Sequence, residues 1–392
     1  MKESTFNYHF FINNKEYIFN TNNGGLIETN PNGFTDEVKR FLFEKRFWVE
    51  DQCDEVCELE KEINENIKQG TGNLSLTIAL TYHCNFKCVY CFEDKNKKTM
   101  KRDTAQEIID KIEHILSINK YKVLKIHYFG GEPLLNMDVL LYFHEKLQKI
   151  AQYKGVHYKP SLTTNGSMLT NELISSIHFD TIQLTFDGLE KTHNSLRVSD
   201  TFRFEEQVQL IGRILDHSDT KIIMRVNVCR QNQSEVMDLY QYIMGKYGKK
   251  RIIFSPNRMI KFHNEDEFDM LSVKEFADVL LEIKDAVSDE YRLPNPERTP
   301  CDFVYGNAFS INTDGNCDFC DTVKGEGNYK FRDVDVRKKK AISFREECRT
   351  CKCLPICLGG CIVQHNLKAG SCTYEKYHME HIIKNYVESL SY

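Results

Sequence analysis

Strand-like and helix-like segments alternate through the middle of this chain, and that alternation limits the architectures open to it more than any other feature. Short runs rich in β-formers fall at 74–81, 123–129, 159–164, 181–186, 221–228 and 251–255. Between them, apolar residues recur at helical spacing over 105–116, 139–150, 204–215 and 236–247. Parallel strands need a crossover and helices usually supply it, so successive βα units predict an α/β fold with a parallel sheet. An open doubly wound sheet and a partial barrel both satisfy the pattern.

The flanks read differently. In residues 1–73, the β-rich stretches 8–12 and 17–19 are separated by Asn13, Asn14 and Lys15, which predicts a hairpin. Helical segments around 36–43 and 54–68 follow, making a small α+β module whose core would hold Phe43, Phe47 and Trp48. Gln69, Gly70, Thr71 and Gly72 read as a linker, and Pro294, Pro296 and Pro300 mark a second boundary near residue 290. The expected organisation is 1–73, 74–290 and a cysteine-rich 291–392.

Composition excludes several classes. The chain has 392 residues, 41% of them apolar, and a net charge of −5 from 52 Lys+Arg and 57 Asp+Glu, so it lacks the field of a nucleic-acid binder. It shows neither a membrane-length apolar run nor the features of a signal peptide, so a cytoplasmic location is expected. Disulfides do not persist there, so the 15 cysteines are expected to be mostly metal ligands or reactive thiols. Cys53 and Cys57, spaced i, i+4 on a predicted helix, read as packing residues.

Three cysteines lie just past the first predicted strand, in the spacing Cys84-x3-Cys88-x2-Cys91. Structural zinc and ordinary 4Fe-4S sites use four ligands, so three thiolates leave one iron corner open. The amino and carboxylate groups of S-adenosylmethionine (SAM) can chelate such an iron. A partial zinc knuckle completed by His83 is the competing reading.

This spacing, with the aromatic Tyr90 before Cys91, resembles the radical SAM enzymes. Gly130, Gly131, Glu132 and Pro133 resemble the family's GGEP segment, whose backbone oxygens receive the methionine amino group. Ser161, Thr163 and Asn165 fall in a segment similar to its ribose and carboxylate site. Asp187 and Gly188 with His193 and Arg197, and then Arg225 and Asn227, also fit in order. The resemblance covers 74–290 and implies a partial (β/α)6 barrel that binds SAM through Tyr90, Gly130, Gly131, Glu132, Ser161, Thr163, Asn165, Arg197, Arg225 and Asn227.

In the tail, Cys301, Gly315, Cys320, Cys348, Cys351, Cys357, Cys361 and Cys372 follow the pattern of the SPASM domain. That resemblance implies two auxiliary 4Fe-4S clusters, one on Cys301, Cys320 and Cys361 and one on Cys348, Cys351, Cys357 and Cys372, for three clusters in all. Seven thiolates are one short of two full sets. Cys317 or Cys353 would supply the eighth, or the first auxiliary site stays open to substrate; a spare cysteine is more commonly a small buried residue. A zinc ribbon at Cys348 to Cys361 is the competing reading.

SPASM-bearing relatives mostly modify peptides. The resemblance therefore implies a precursor peptide as substrate, a small electron donor such as flavodoxin or ferredoxin, and thioether formation ahead of carbon–carbon cross-linking. Asp321 matches the acidic base of sulfatase-maturating enzymes, whereas a cluster loop as far along as Cys84 argues against that class. The amino-terminal module resembles a shortened leader-recognition module, with a structural cap as the equal alternative. A non-catalytic peptide-binding or electron-transfer protein is opposed by the intact three-cysteine and GGEP segments.

Overall fold

A computed structural model describes the chain apart from residues 31–32, 71, 94–97, 261–268, 288–290, 304–305, 319, 321–328, 337–340, 367–369 and 391–392. Two compact units hold it: Met1–Gln69 with Ser272–Cys301 and Lys340–Tyr392, and Gly70–Leu271 with Asp302–Lys339. The amino-terminal module and most of the carboxyl-terminal cysteines thus share a unit.

That first unit begins with β1 (Lys2–Glu3) and an antiparallel meander of β2 (Asn7–Ile12), β3 (Lys15–Asn20) and β4 (Gly25–Glu28). The expected hairpin turns through Asn13 and Asn14, both at positive φ (51° and 63°), which matches the right-handed twist of its strands. Helix α1 (Asp36–Glu44), strand β5 (Trp48–Val49) and helix α2 (Glu55–Gln69) follow, with β5 pairing β1. On one face of the meander Ile18 packs with Leu42, Phe47 and the half-buried Trp48; Leu42, rather than the expected Phe43, fills that place.

The other face is covered by the end of the chain. Phe10, Ile12 and Phe19 form one core with Cys353, Met379 and Ile383. The carboxyl-terminal elements of this unit are α9 (Val273–Val287), the short α10 (Glu346–Arg349), α11 (Leu354–Cys357) and α12 (Ile362–Asn366), and α13 (Glu375–Ser389). From α2, Glu60 pairs with Arg349 at 2.9 Å and the Asn64 amide donates to Ile342 O at 3.0 Å. The module is therefore part of the scaffold that holds the cysteine loop.

The second unit contains β6 (Asn73–Thr81), β7 (Val123–Gly130), β8 (His157–Thr163), β9 (Thr181–Thr185), β10 (Lys221–Val228) and β11 (Ile252–Arg258), each overlapping an expected strand. Parallel pairing joins them in chain order. Sequential order without a reversal means that every crossover advances the same way, which identifies a partial barrel and excludes the doubly wound alternative. The crossovers carry α3 (Arg102–Ile118), α4 (Met137–Lys154), α5 (Asn171–Ser176), α6 (Glu190–Leu196), α7 (Phe204–His217) and α8 (Val236–Tyr247). Helix α3 buries Ala105, Ile108, Ile109, Ile112 and Ile115, the stripe that a 3.6-residue repeat puts on one face.

Beyond the expected strands, β12 (Ala308–Ile311) adds in parallel beside β6, and β13 (Asn316–Asp318) and β14 (Tyr329–Lys330) continue antiparallel. Strand alternation defines the barrel interior. On β7, Leu124, Ile126 and Tyr128 are fully buried while His127 and Phe129 are half-buried. On β10, Ile222, Met224, Val226 and Val228 are buried while Arg225 and Asn227 are not fully so. The apolar set packs under helices and the polar set faces the lumen.

Candidate active site

Strand β6 ends at Thr81, and the loop that follows carries Cys84, Cys88 and Cys91, all half-buried. The loop is pinned by its backbone: Lys87 N–H donates to Val198 O at 2.9 Å and Val89 N–H to Leu196 O at 3.0 Å. The Asn165 amide reaches the Cys84 sulfur at 3.8 Å. Burial pushes the Cys84 thiol up to about 11; the Phe86 N–H opposes this, and Glu132, Cys88 and Cys91 add to it. Thiols crowded in this way lose their protons to solvent once a bound cation offsets the repulsion between the thiolates, which suits an iron–sulfur cluster. Among the described residues no three His, Cys, Asp or Glu side chains gather tightly enough for a single metal ion; a cubane, with one sulfur per iron corner, asks for a wider spread.

The glycine pair after β7 explains how this loop is seated. A Cβ on Gly130, which sits at φ +137°, would lie 2.1 Å from Thr81 O, and one on Gly131 would lie 2.6 Å from the carbonyls of Tyr82 and His83. Without side chains the pair runs flush against the loop, with Gly131 N–H on Thr81 O at 2.8 Å and Glu132 N–H on His83 O at 2.9 Å. Glu132 is fully buried and uses both oxygens: Oε1 accepts from Thr164 Oγ1 at 2.8 Å and Leu134 N–H at 3.1 Å, Oε2 from Asn165 N–H at 2.7 Å. Burial raises its pKa and these donors pull it back. Its side chain locks the end of β7 to the end of β8.

Tyr90 enters a buried polar network through its hydroxyl. It donates to Asp187 Oδ2 and accepts from Arg197 Nη1 at 3.0 Å and Asn227 Nδ2 at 3.3 Å. Asp187 is fully buried, accepts the Asn227 N–H at 3.0 Å, and has Arg197 at 4.0 Å. Burial raises the Asp187 pKa while Arg197, Tyr90 and the Asn227 N–H oppose it. Burial works against the Arg197 charge, yet Tyr90, Cys88 and Asp187 hold its pKa above the ordinary value. Arg225 Nε donates to Asn227 Oδ1 at 3.0 Å, so four expected residues, Tyr90, Arg197, Arg225 and Asn227, come together around Asp187.

Deeper on the lumen face, His127 is held between two expected residues, Nδ1 at 2.9 Å from Ser161 Oγ and Nε2 at 3.0 Å from Thr163 Oγ1. Sequence reasoning passed over His127, although its place two residues before Phe129 on an alternating strand put it on the lumen face. Asp187, read only as part of a motif, is the centre of the network. His193 instead belongs to the core: Phe186 and Phe204 lie at 5.7 and 5.5 Å, and burial, with Arg197 adding, takes its pKa down to about 3. Glu93, two residues past Cys91, is buried.

The first unit brings together the other grouping. Cys348 lies in α10, Cys351 just after it, Cys357 at the end of α11 and Cys372 before α13. Each sulfur has a donor: Arg345 Nη2 to Cys348 at 3.3 Å, Lys376 Nζ to Cys372 at 3.4 Å, the Gly359 N–H to Cys357, and Cys353 and the Leu354 N–H to Cys351. Burial pushes the Cys357 thiol up to about 11, with Cys351, Cys348 and Cys372 adding, so the four act on one another. Four cysteines so placed, each sulfur with a donor, fit a thiolate-ligated cluster.

The remaining cysteines divide. Cys301 and Cys361 are exposed in the first unit, and Cys320 is half-buried in the second. Cys317 is fully buried on β13, and Cys353 is buried with its sulfur 3.0 Å from Tyr8 Oη. Both spare thiols therefore sit in cores. Asp321 lies outside the described residues.

Among known families, residues 78–243 match the Radical SAM superfamily. The chain is 25% identical over 280 residues to a probable GTP 3',8-cyclase of Methanocella arvoryzae, covering 69% of this chain and 84% of that protein. It is 26% identical over 179 residues to mycofactocin maturase MftC of Mycolicibacterium smegmatis, covering 45% and 42%. In fold it is similar to native anSMEcpe with bound AdoMet and Cp18Cys peptide, with a TM-score of 0.63 at 20% identity over 81% of this chain and 99% of that one. The same holds for Streptococcus suis SuiB bound to S-adenosylmethionine, with a TM-score of 0.56 at 16% identity over 95% and 97%.

Proposed function

The chain carries a radical SAM domain and is an enzyme of that superfamily, and from this premise we propose that it is a peptide maturase that makes a cysteine thioether cross-link. The observation that carries the radical chemistry is the three-cysteine loop at the end of β6, seated by the glycine pair and flanked by a polar lumen. Cys84, Cys88 and Cys91 would hold a 4Fe-4S cluster, which with bound SAM would supply the radical that abstracts hydrogen. Tyr90, Arg197, Arg225 and Asn227 form one polar wall of the SAM site, the backbone of Gly130 and Gly131 a second, and Asn165 orients the Cys84 sulfur. Ser161, Thr163 and His127 line the interior in which the radical meets its substrate. Glu132 fixes the strand ends that carry these groups.

The peptide reading is supported by fold likeness over most of the chain to structures described with a Cp18Cys peptide and with precursor peptide SuiA. Hydrogen abstraction leaves a carbon radical on the peptide. Attack of a cysteine thiolate on that carbon forms the C–S bond and releases one electron. Cys348, Cys351, Cys357 and Cys372 would hold an auxiliary 4Fe-4S cluster, which would supply the one-electron acceptor that this bond formation needs. A flavodoxin or ferredoxin would deliver the electron that starts each turnover. Residues 1–73 would offer a sheet edge to a leader strand.

The test is anaerobic incubation of reconstituted, reduced enzyme with SAM and a cysteine-containing precursor peptide. Loss of two hydrogens together with one thiol protected from alkylation is the expected result. Loss of two hydrogens with every thiol still reactive would instead mean a carbon–carbon link, and an aldehyde in a sulfatase-type peptide a formylglycine-forming enzyme. The sequence relatives favour one further reading, a nucleotide cyclase, so GTP consumption with no peptide modified would overturn the proposal.

A further inference from the structure

We propose that Arg345 and Lys376 set the reduction potential of a cluster held by Cys348, Cys351, Cys357 and Cys372. The inference rests on the reading of those four cysteines as ligands. Reduction places an extra negative charge on the cluster, shared with its sulfurs. A cation with an N–H aimed at a ligand sulfur stabilises the reduced form more than the oxidised one and raises the potential. Arg345 is built for this: Nη2 donates to Cys348 Sγ at 3.3 Å and to Gly359 O, while Nε donates to Glu347 Oε1 at 2.9 Å.

The guanidinium fork is thus fixed on three partners at once, a geometry that an ammonium cannot copy. Its side chain is 30% exposed, so its field on the sulfur is only partly screened, and Glu347 at 66% is the more exposed partner. Lys376, in the first turn of α13, reaches back to Cys372 from the solvent side. Its effect is in the same direction but weaker and sensitive to salt. Together they place positive charge beside two of the four sulfurs and make this cluster easier to reduce than it would be without them.

The test is an EPR-monitored redox titration of full-length, reconstituted protein carrying Cys84→Ala, Cys88→Ala and Cys91→Ala, which leaves the carboxyl-terminal cysteines to hold iron. Iron and sulfide are counted first, and protein that holds neither rejects the ligand reading itself. With the cluster present, Arg345→Gln is expected to keep the iron content and move one midpoint to a more negative value, and Arg345→Lys to recover part of the shift. Lys376→Met should give a smaller shift of the same sign that fades at high salt. Unchanged midpoints in Arg345→Gln and Lys376→Met at full iron content overturn the inference. Should Arg345→Gln lose iron, Lys376→Met decides alone: a negative shift supports the proposal and no shift overturns it.

Discussion

Replacing Asp187 with asparagine probes the buried network directly. The Asp187 side chain is 0% exposed and that of Arg197 is 9% exposed, with 4.0 Å between them. At that distance a pair at an effective dielectric near 20 interacts by about 4 kcal/mol, and breaking a buried pair costs about 3–5 kcal/mol. The substituted amide would still accept the Asn227 N–H through its oxygen, so the lower figure, about 3 kcal/mol, is expected. For a unit of roughly 150–250 residues this corresponds to a fall of about 6–12 °C in its thermal transition. The assay is calorimetry of metal-free protein, with Arg197→Met alone and with both substitutions. The double variant should recover part of the loss, because it no longer buries an uncompensated cation. A loss under about 1 kcal/mol, or strict additivity of the two changes, would refute the reasoning.

Further expectations follow from the same geometry. Gly131→Ala puts a methyl group 2.6 Å from two carbonyls of the cysteine loop, so reconstituted protein should lose the iron and sulfide of the first cluster while keeping that of the tail. The fold holds His193 neutral with its pKa lowered to about 3, chiefly by burial, so its contribution is complete above the unfolded value of about 6.5 and is lost as pH falls from there towards 3. Urea titrations should show stability falling by up to about 1.4 kcal/mol per pH unit from this group, and His193→Gln should flatten that slope. Phe19→Ala empties a fully buried place in the core shared with Cys353 and Ile383; a loss of about 3–5 kcal/mol should appear as faster amide exchange in α13 and the adjoining cysteine loop.

The barrel was legible because each strand alternates in a way that survives in the sequence, as Ile222, Met224, Val226 and Val228 interleave with Arg225 and Asn227. The cysteine loop was legible because three ligands on a short segment leave a fixed spacing. Strands β12 to β14 were not, since two to four residues carry too little periodicity, and β6, the partner of β12, lies more than 200 residues away in the chain. The shared core of Phe19 and Cys353 is hidden for the same reason: no local pattern links positions so far apart. The motif that contains Glu132 does not disclose what its side chain does, which is to accept from Thr164, Asn165 and Leu134 across the strand ends. His127 was overlooked, and Asp187 was read only as part of a motif, because their roles come from neighbours across strands.

The measurement that bears most directly on this account is 5′-deoxyadenosine and methionine release by anaerobically reconstituted, dithionite-reduced protein supplied with SAM. Equimolar formation of the two, dependent on reductant and abolished in Cys84→Ala, is the predicted result. No 5′-deoxyadenosine above that variant, from protein shown to carry its full iron and sulfide, would contradict it.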